Sequence, residues 1–165
     1  LIGLNSSGVY GNLNAETLGL EPAVEAKWNQ VSVRLSYSLQ RTQNRDTGIS
    51  LPDSPENMVK LNFSAPLYED KLFAGLEIQY TSQTKTEIYN PFVTPAIQPG
   101  PNCPGYTTVN FTLFSHNLFV KNLEVSVGVY NLFNTKYNQP SSDFHLQPYI
   151  PQDGINFRLK ATYRF

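Results

Sequence analysis

Ile155-Asn-Phe-Arg-Leu-Lys-Ala-Thr-Tyr-Arg-Phe165 alternates from end to end. Ile155, Phe157, Leu159, Ala161, Tyr163 and Phe165 are apolar or aromatic, and Asn156, Arg158, Lys160, Thr162 and Arg164 between them are polar. Successive residues of a β-strand point to opposite sides, so this segment has one greasy face and one charged face. About 9–11 residues is the length of a tilted strand that crosses a bilayer.

The same period of two recurs upstream, and helical periodicity does not. Leu18, Leu20, Pro22, Val24, Ala26 and Trp28 oppose Gly19, Glu21, Ala23, Glu25 and Lys27. Val31, Val33, Leu35, Tyr37 and Leu39 alternate with Ser32, Arg34, Ser36, Ser38 and Gln40. Similar stretches cover Val59–Ala65, Leu72–Tyr80, Val109–Leu113 and Leu123–Val129. With the terminal segment these make seven strands, and residues 1–17 read as the remnant of an eighth strand followed by a loop. The expected fold is all-β: seven or eight long antiparallel strands in an up-and-down transmembrane barrel segment, an open, curved part of a larger barrel.

The connections carry an independent signal. Short ones fall at Asn29-Gln30, Leu67–Asp70 and Leu118–Asn122, and long ones at 41–56, 83–105 and 132–154. Short and long alternate strictly, so every long connection falls at the same end of the sheet. Outer-membrane barrels have that asymmetry, with short periplasmic turns and long extracellular loops. A soluble antiparallel sandwich also alternates but has no reason to gather its long loops at one end.

Composition is compatible with this reading. The chain has 165 residues, a net charge of −1 and 15% charged residues, and it lacks the long apolar run of a membrane-spanning helix. A near-neutral charge gives no footprint for nucleic acid. His116 and His145 are too far apart for a metal site of ordinary spacing, and the lone Cys103 rules out an internal disulfide. Cys103 lies in the turn-rich stretch 99–105, which reads as an irregular loop. There is no nucleophile–base pair, carboxylate pair or glycine-rich phosphate loop, so the sequence gives an enzyme, a cofactor or a metal nothing to rest on.

Leu123-Glu-Val-Ser-Val-Gly-Val-Tyr-Asn-Leu-Phe-Asn134, then Tyr137, Pro151-Gln-Asp-Gly154 and the terminal strand ending Tyr163-Arg-Phe165, resemble the C-terminal end of TonB-dependent outer-membrane receptors. Their penultimate strand closes on Asn-Leu-Phe-Asn and their last strand on Tyr-Arg-Phe or a close variant. Gly19-Leu-Glu21, Leu51-Pro-Asp-Ser-Pro55 and Gly75–Tyr80 fit the same pattern. The resemblance spans about residue 17 to the end. It implies the C-terminal third of a barrel of about 22 strands, filled in whole receptors by an N-terminal plug. The plug domain and the TonB-contacting box are absent from residues 1–165. It further implies a Gram-negative outer-membrane location and import of a scarce nutrient, foremost a ferric siderophore, with energy delivered by TonB. The implied partners are membrane lipid, the receptor's own plug, the TonB complex, the barrel-assembly machinery and the nutrient. A passive porin-like channel and a soluble all-β binding module are the alternatives.

In that frame the polar face lines a lumen and meets the plug. Its charged members are Glu21, Glu25, Lys27, Arg34, Lys60, Glu77, Glu124, Arg158, Lys160 and Arg164; cross-strand pairing and hydration is the plainer role for each. Trp28, Tyr163 and Phe165 fall at the periplasmic interface, where aromatic girdles form, with Tyr80 and Tyr130 at the outer rim. Tyr163 and Phe165 also match the family's C-terminal assembly signal. Ligand contacts are expected from aromatic and amide groups of the long loops: Tyr89, Asn90, Phe92 and Tyr106 in or beside one, and Tyr137, Phe144, His145 and Tyr149 in another. Asn131 and Asn134 tolerate left-handed backbone, so the Asn-Leu-Phe-Asn segment is expected to end a strand and start a loop.

Overall fold

Strict alternation gives each segment two dissimilar faces, and long strands follow wherever neighbours share that pattern. The computed structural model describes residues 2–4, 10–12, 14–46, 48, 50–90, 92–93, 97–118, 120–141 and 145–165; for 2–4, 10–12, 89 and 97 only the backbone is described. The described elements are all strands, fourteen in chain order. They are β1 (Ile2–Leu4), β2 (Tyr10–Asn12), β3 (Ala15–Leu20), β4 (Ala23–Trp28), β5 (Val31–Asn44), β6 (Asn57–Tyr68) and β7 (Leu72–Thr81). They continue with β8 (Glu87–Tyr89), β9 (Ile97–Pro99), β10 (Tyr106–His116), β11 (Leu123–Tyr130), β12 (Asn138–Pro140), β13 (Tyr149–Pro151) and β14 (Asn156–Tyr163).

The main sheet runs β14-β11-β10-β7-β6-β5-β3, with β4 also on β5, and all its pairings are antiparallel. β3 and β4 are one edge strand in unbroken register, interrupted at Glu21-Pro22: Leu20 faces Leu39, the amide of Tyr37 donates to the Pro22 carbonyl, and Ala23 faces Ser36. Proline has no N–H to return that bond, which is why the strand breaks there. The sheet is therefore seven strands wide. Among the described residues β14 and the β3–β4 strand each pair on one side only, so the sheet is open rather than closed into a barrel.

Register tracks the two faces across the whole width. Trp28, Val31 and Val33 lie on one side with Phe63, Leu76, Phe111, Val129 and Phe157; the alternate residues make the polar side. Among the described residues no layer covers the apolar side: Trp28 is 79% exposed and Leu159 74% exposed. Among the described residues the one buried apolar side chain is Cys103, and the other buried groups are hydroxyls and an amide. A soluble sandwich would bury its inner face against a second sheet; here the core is absent and the greasy face is free.

Turn chemistry separates the two ends. The short connections follow β4, β6 and β10, with left-handed backbone at Asn29, Glu69, Asn117 and Asn122. β6 reaches its turn through a bulge between Pro66 and Tyr68. The long connections at the other end contain further pairing. β8 pairs with β9 and β12 with β13, so two of them carry hairpins of their own. The first is a continuation of the wall: the β7–β10 register carries past Thr81–Tyr106 to a bridge between Thr84 and Cys103, then slips by one residue into β8–β9. Cys103 thus sits in a paired segment and not an irregular one. β5 also extends to Asn44, into the stretch 41–56 expected as loop. The start of the chain differs too, since Ala15–Thr17 already belong to β3, and β1 pairs with β2 as a separate hairpin.

Inserted in a bilayer, the apolar face should tolerate no charge at mid-strand. Leu159→Arg is expected to cost about 2–4 kcal/mol, and Ser64→Arg, on the polar face opposite Ser32 and Gly75, under about 1 kcal/mol. Urea titration of the full-length protein folded into lipid vesicles measures both.

Candidate binding site

The ten charged residues expected on the polar side fall there. Arg34 faces Glu25, Lys27 faces Ser32, Lys60 faces Gln79, Glu77 faces Asn110, Arg158 faces Gly128, and Lys160 faces Ser126. Glu21 accepts from Ser38 Oγ at 3.5 Å, and Lys27 pairs with Glu25 at 2.8 Å. Near the short-turn end Glu124 Oε1 meets Arg164 Nη2 at 3.2 Å and His116 Nδ1 at 3.3 Å. Such exposed pairs hold geometry more than they hold the fold together.

At the long-loop end the polar face is organised by one amide. Asn131 is 5% exposed and has φ 52°, the left-handed turn that ends β11. Its Nδ2 donates to the carbonyls of Thr135 (2.9 Å) and Asp153 (3.3 Å), and its Oδ1 accepts from the Thr135 amide at 2.8 Å. Its own backbone amide donates to Asn110 Oδ1 at 2.9 Å, and Asn110 Nδ2 donates to Glu77 Oε1 at 2.7 Å. Asn134, also left-handed at φ 51°, accepts from the Ile155 amide at 3.2 Å. Two asparagines of the Asn-Leu-Phe-Asn segment therefore tie the end of β11 to the start of β14.

Beside this amide lies a polar recess of about 350 Å³, bounded by Tyr106, Tyr130, Tyr137, Asp153 and Arg158 among others. Tyr130 does not join an outer aromatic girdle as expected. It faces Asn156, in phase with the polar residues Glu124 and Ser126 of its own strand. Its ring lies over Gly128, where an added Cβ would approach Cε2 to 2.8 Å, and the Arg158 guanidinium sits 4.6 Å from the ring centre. The missing side chain at Gly128 makes room for that stack.

Tyr106 and Tyr137, expected on separate loops, meet with ring centres 4.3 Å apart. Partial burial, with Tyr106 and Asp153 nearby, raises the Tyr137 phenol above its usual range. Cys103, 2% exposed, donates from Sγ to the Asn138 carbonyl at 3.4 Å, and burial pushes its thiol up. These contacts join the 82–105 connection to the 131–155 connection, and the Asp53 amide, donating to the Lys85 carbonyl at 3.0 Å, adds the 45–56 connection.

Of the other expected loop residues, Asn90, Phe92, His145 and Tyr149 do not line that recess. Asn90 and Phe92 lie beyond β8, where Asn90 Oδ1 accepts from the Phe92 amide at 3.1 Å and Phe92 is 92% exposed. Tyr89 pairs through its backbone with Ile97, and Tyr149 pairs with Pro140 in the β12–β13 hairpin. His145 is exposed just before β13, and Phe144 lies outside the described residues. Tyr80 is on the apolar face opposite Val59. Trp28 is on that face too, and the Tyr163 and Phe165 rings meet edge to face at 5.2 Å. Loop composition did not single out Asn131, Tyr130 or Asp153 as neighbours of this recess, although the Asn-Leu-Phe-Asn and Pro-Gln-Asp-Gly motifs contain two of the three. Among the described residues no three His, Cys, Asp or Glu side chains come close enough to hold a metal.

Long antiparallel strands, an uncovered apolar face, a charged face and long connections gathered at one end define the wall of a transmembrane β-barrel. The family model described as TonB dependent receptor-like, beta-barrel, matches residues 1–132, and the chain belongs to that family. Solved structures share the fold. The pyoverdine outer membrane receptor FpvA from Pseudomonas aeruginosa PAO1 superposes with a TM-score of 0.75 at 20% identity, over 96% of this chain and 23% of that one. The ferric-catecholate import receptor Fiu from K12 E. coli gives 0.72 at 24% identity, over 99% and 23%. The copper transporter OprC gives 0.72 at 16% identity, over 93% and 24%. The chain thus spans about a quarter of the length of these proteins. No curated protein sequence matches it.

Removing the Asn131 amide should free both ends of the connection. Asn131→Ala is expected to cost about 1–3 kcal/mol by orphaning buried partners. Asn131→Gly keeps the left-handed turn but should still speed hydrogen exchange at the Thr135 amide. A raised Tyr137 pKa means that the folded state favours the neutral phenol. Its contribution is complete below the ordinary tyrosine value of about 10 and is lost as pH rises through the higher folded value. Ultraviolet titration of the native protein should show a late-ionising phenol that Tyr137→Phe removes.

Proposed function

We propose that this chain is part of the barrel wall of an outer-membrane receptor in a Gram-negative bacterium. That receptor binds a scarce nutrient, a ferric siderophore, and imports it with energy delivered by TonB. The observation that carries this reading is the recess bounded by Tyr106, Tyr137 and Arg158, which lies on the polar face where the long connections gather. Aromatic faces and a guanidinium suit a bulky, polar, partly aromatic iron chelate. The pyoverdine and ferric-catecholate receptors of the same fold support an iron chelate as cargo.

In this reading the polar face borders the lumen. Glu21, Glu25, Lys27, Arg34, Lys60, Glu77, Glu124, Arg158, Lys160 and Arg164 are available to the receptor's plug, and Tyr163 and Phe165 to the assembly machinery. Asn90, Phe92, His145 and Tyr149 would make first contact with ligand from the outer connections.

Uptake tests the proposal. A strain deleted for the gene and starved of iron should take up radiolabelled ferric siderophore only when the full-length gene is restored and TonB is present. Arg158→Ala with Tyr137→Ala should weaken binding by roughly thirtyfold, about 2 kcal/mol. Uptake indifferent to TonB would replace the energised receptor with a passive channel.

A further inference from the structure

We infer that a second recess, on the apolar side of the long-loop rim, holds the phosphorylated headgroup of a membrane lipid; this rests on the outer-membrane reading above. The recess has a volume of about 550 Å³, and its lining includes Arg41, Glu56, Asn57, Tyr80, Ser82 and Lys85. Register assigns three of these to the apolar face: Arg41 faces Leu18, Asn57 faces Leu39, and Tyr80 faces Val59. Leu35, Leu61 and Ile78 continue that face away from the recess, toward the short-turn end. In the other direction it turns polar at once, where Glu16 faces Gln43. Arg41 therefore stands where the apolar surface ends.

A cation on a lipid-facing surface is costly in hydrocarbon and stable at the headgroup level, where anionic lipid attracts it. Among the described residues neither Arg41 nor Lys85 forms an ion pair, and neither does Glu56. The lining thus holds two cations and one carboxylate, with Asp53 nearby through its backbone bond to Lys85. Tyr80 supplies the amphipathic ring that suits the interface. Asn57 is held from both sides, its Oδ1 accepting from Tyr37 Oη at 2.5 Å and its amide donating to Ser82 Oγ at 3.0 Å. That fixes the polar floor at the top of the greasy face. A free anion would use the cations alone. An amphiphile uses both parts, with phosphate on Arg41 and Lys85 and acyl chains along Leu39, Leu35 and Leu61.

The test places the full-length protein in nanodiscs of phosphatidylglycerol mixed with phosphatidylcholine and counts retained lipids by native mass spectrometry. The native protein should retain phosphatidylglycerol over phosphatidylcholine, and the preference should fall about fivefold for each cation removed in Arg41→Gln and Lys85→Gln. Arg41→Lys with Lys85→Arg should keep it. Equal retention by the Gln variants would overturn the site, and so would displacement of the retained lipid by millimolar inorganic phosphate. Failure of the protein to enter the nanodisc bilayer would overturn the outer-membrane reading and the site together, whereas insertion without lipid preference removes the site alone.

Discussion

Hydrocarbon offers no partner for a backbone amide, so a sheet that crosses it must satisfy each strand from its neighbours. The rest of this structure depends on that pairing. Once the ladder is fixed, alternation decides everything that a side chain meets: Leu159 and Val127 are committed to one solvent, Lys160 and Ser126 to the other. A core of the kind that stabilises soluble domains is not needed, because the apolar surface is meant for lipid and not for a second layer. Among the described residues the burial that does occur is small and mostly polar, and five of its members, Thr84, Thr86, Cys103, Asn131 and Ser141, lie in the long connections beyond the sheet.

That distribution explains why the Asn-Leu-Phe-Asn segment matters. A long strand leaving the membrane has to stop, turn and re-enter in register, and the turn itself has no hydrophobic core to hold it. Asn131 and Asn134 substitute hydrogen bonds for packing, linking β11, β14 and, through Asn110, β10. The recess lined by Tyr106, Tyr137 and Arg158 forms beside this hub, and the contacts that join two connections there are those of Tyr106 with Tyr137 and of Cys103 with Asn138.

Most of the wall was legible because period two is a strong signal when it is sustained for ten residues. The assignment of Glu77, Arg158 and Lys160 to one face followed from parity alone, and the structure agrees. Parity would also have placed Tyr130 with Glu124 and Ser126; reading it as a rim aromatic gave residue type precedence over phase. The connections were less legible. Proline and glycine in 99–105 mark turns, yet the segment still pairs at Thr84 and Cys103, since a bridge requires only two backbone groups and leaves no side-chain pattern. The meeting of Tyr106 with Tyr137 is a property of two loops distant in sequence, and no local pattern encodes it.

The continuation of the β7–β10 wall into its own connection bears on how such a chain can change over generations. A single residue inserted within the paired stretch would invert every side chain beyond it, sending lipid-facing groups inward. Residues added beyond the last paired position leave the wall's phase intact, whatever their number. Variation in length is therefore channelled to the hairpin tips, and a lineage can rebuild that rim without renegotiating the phase of the wall.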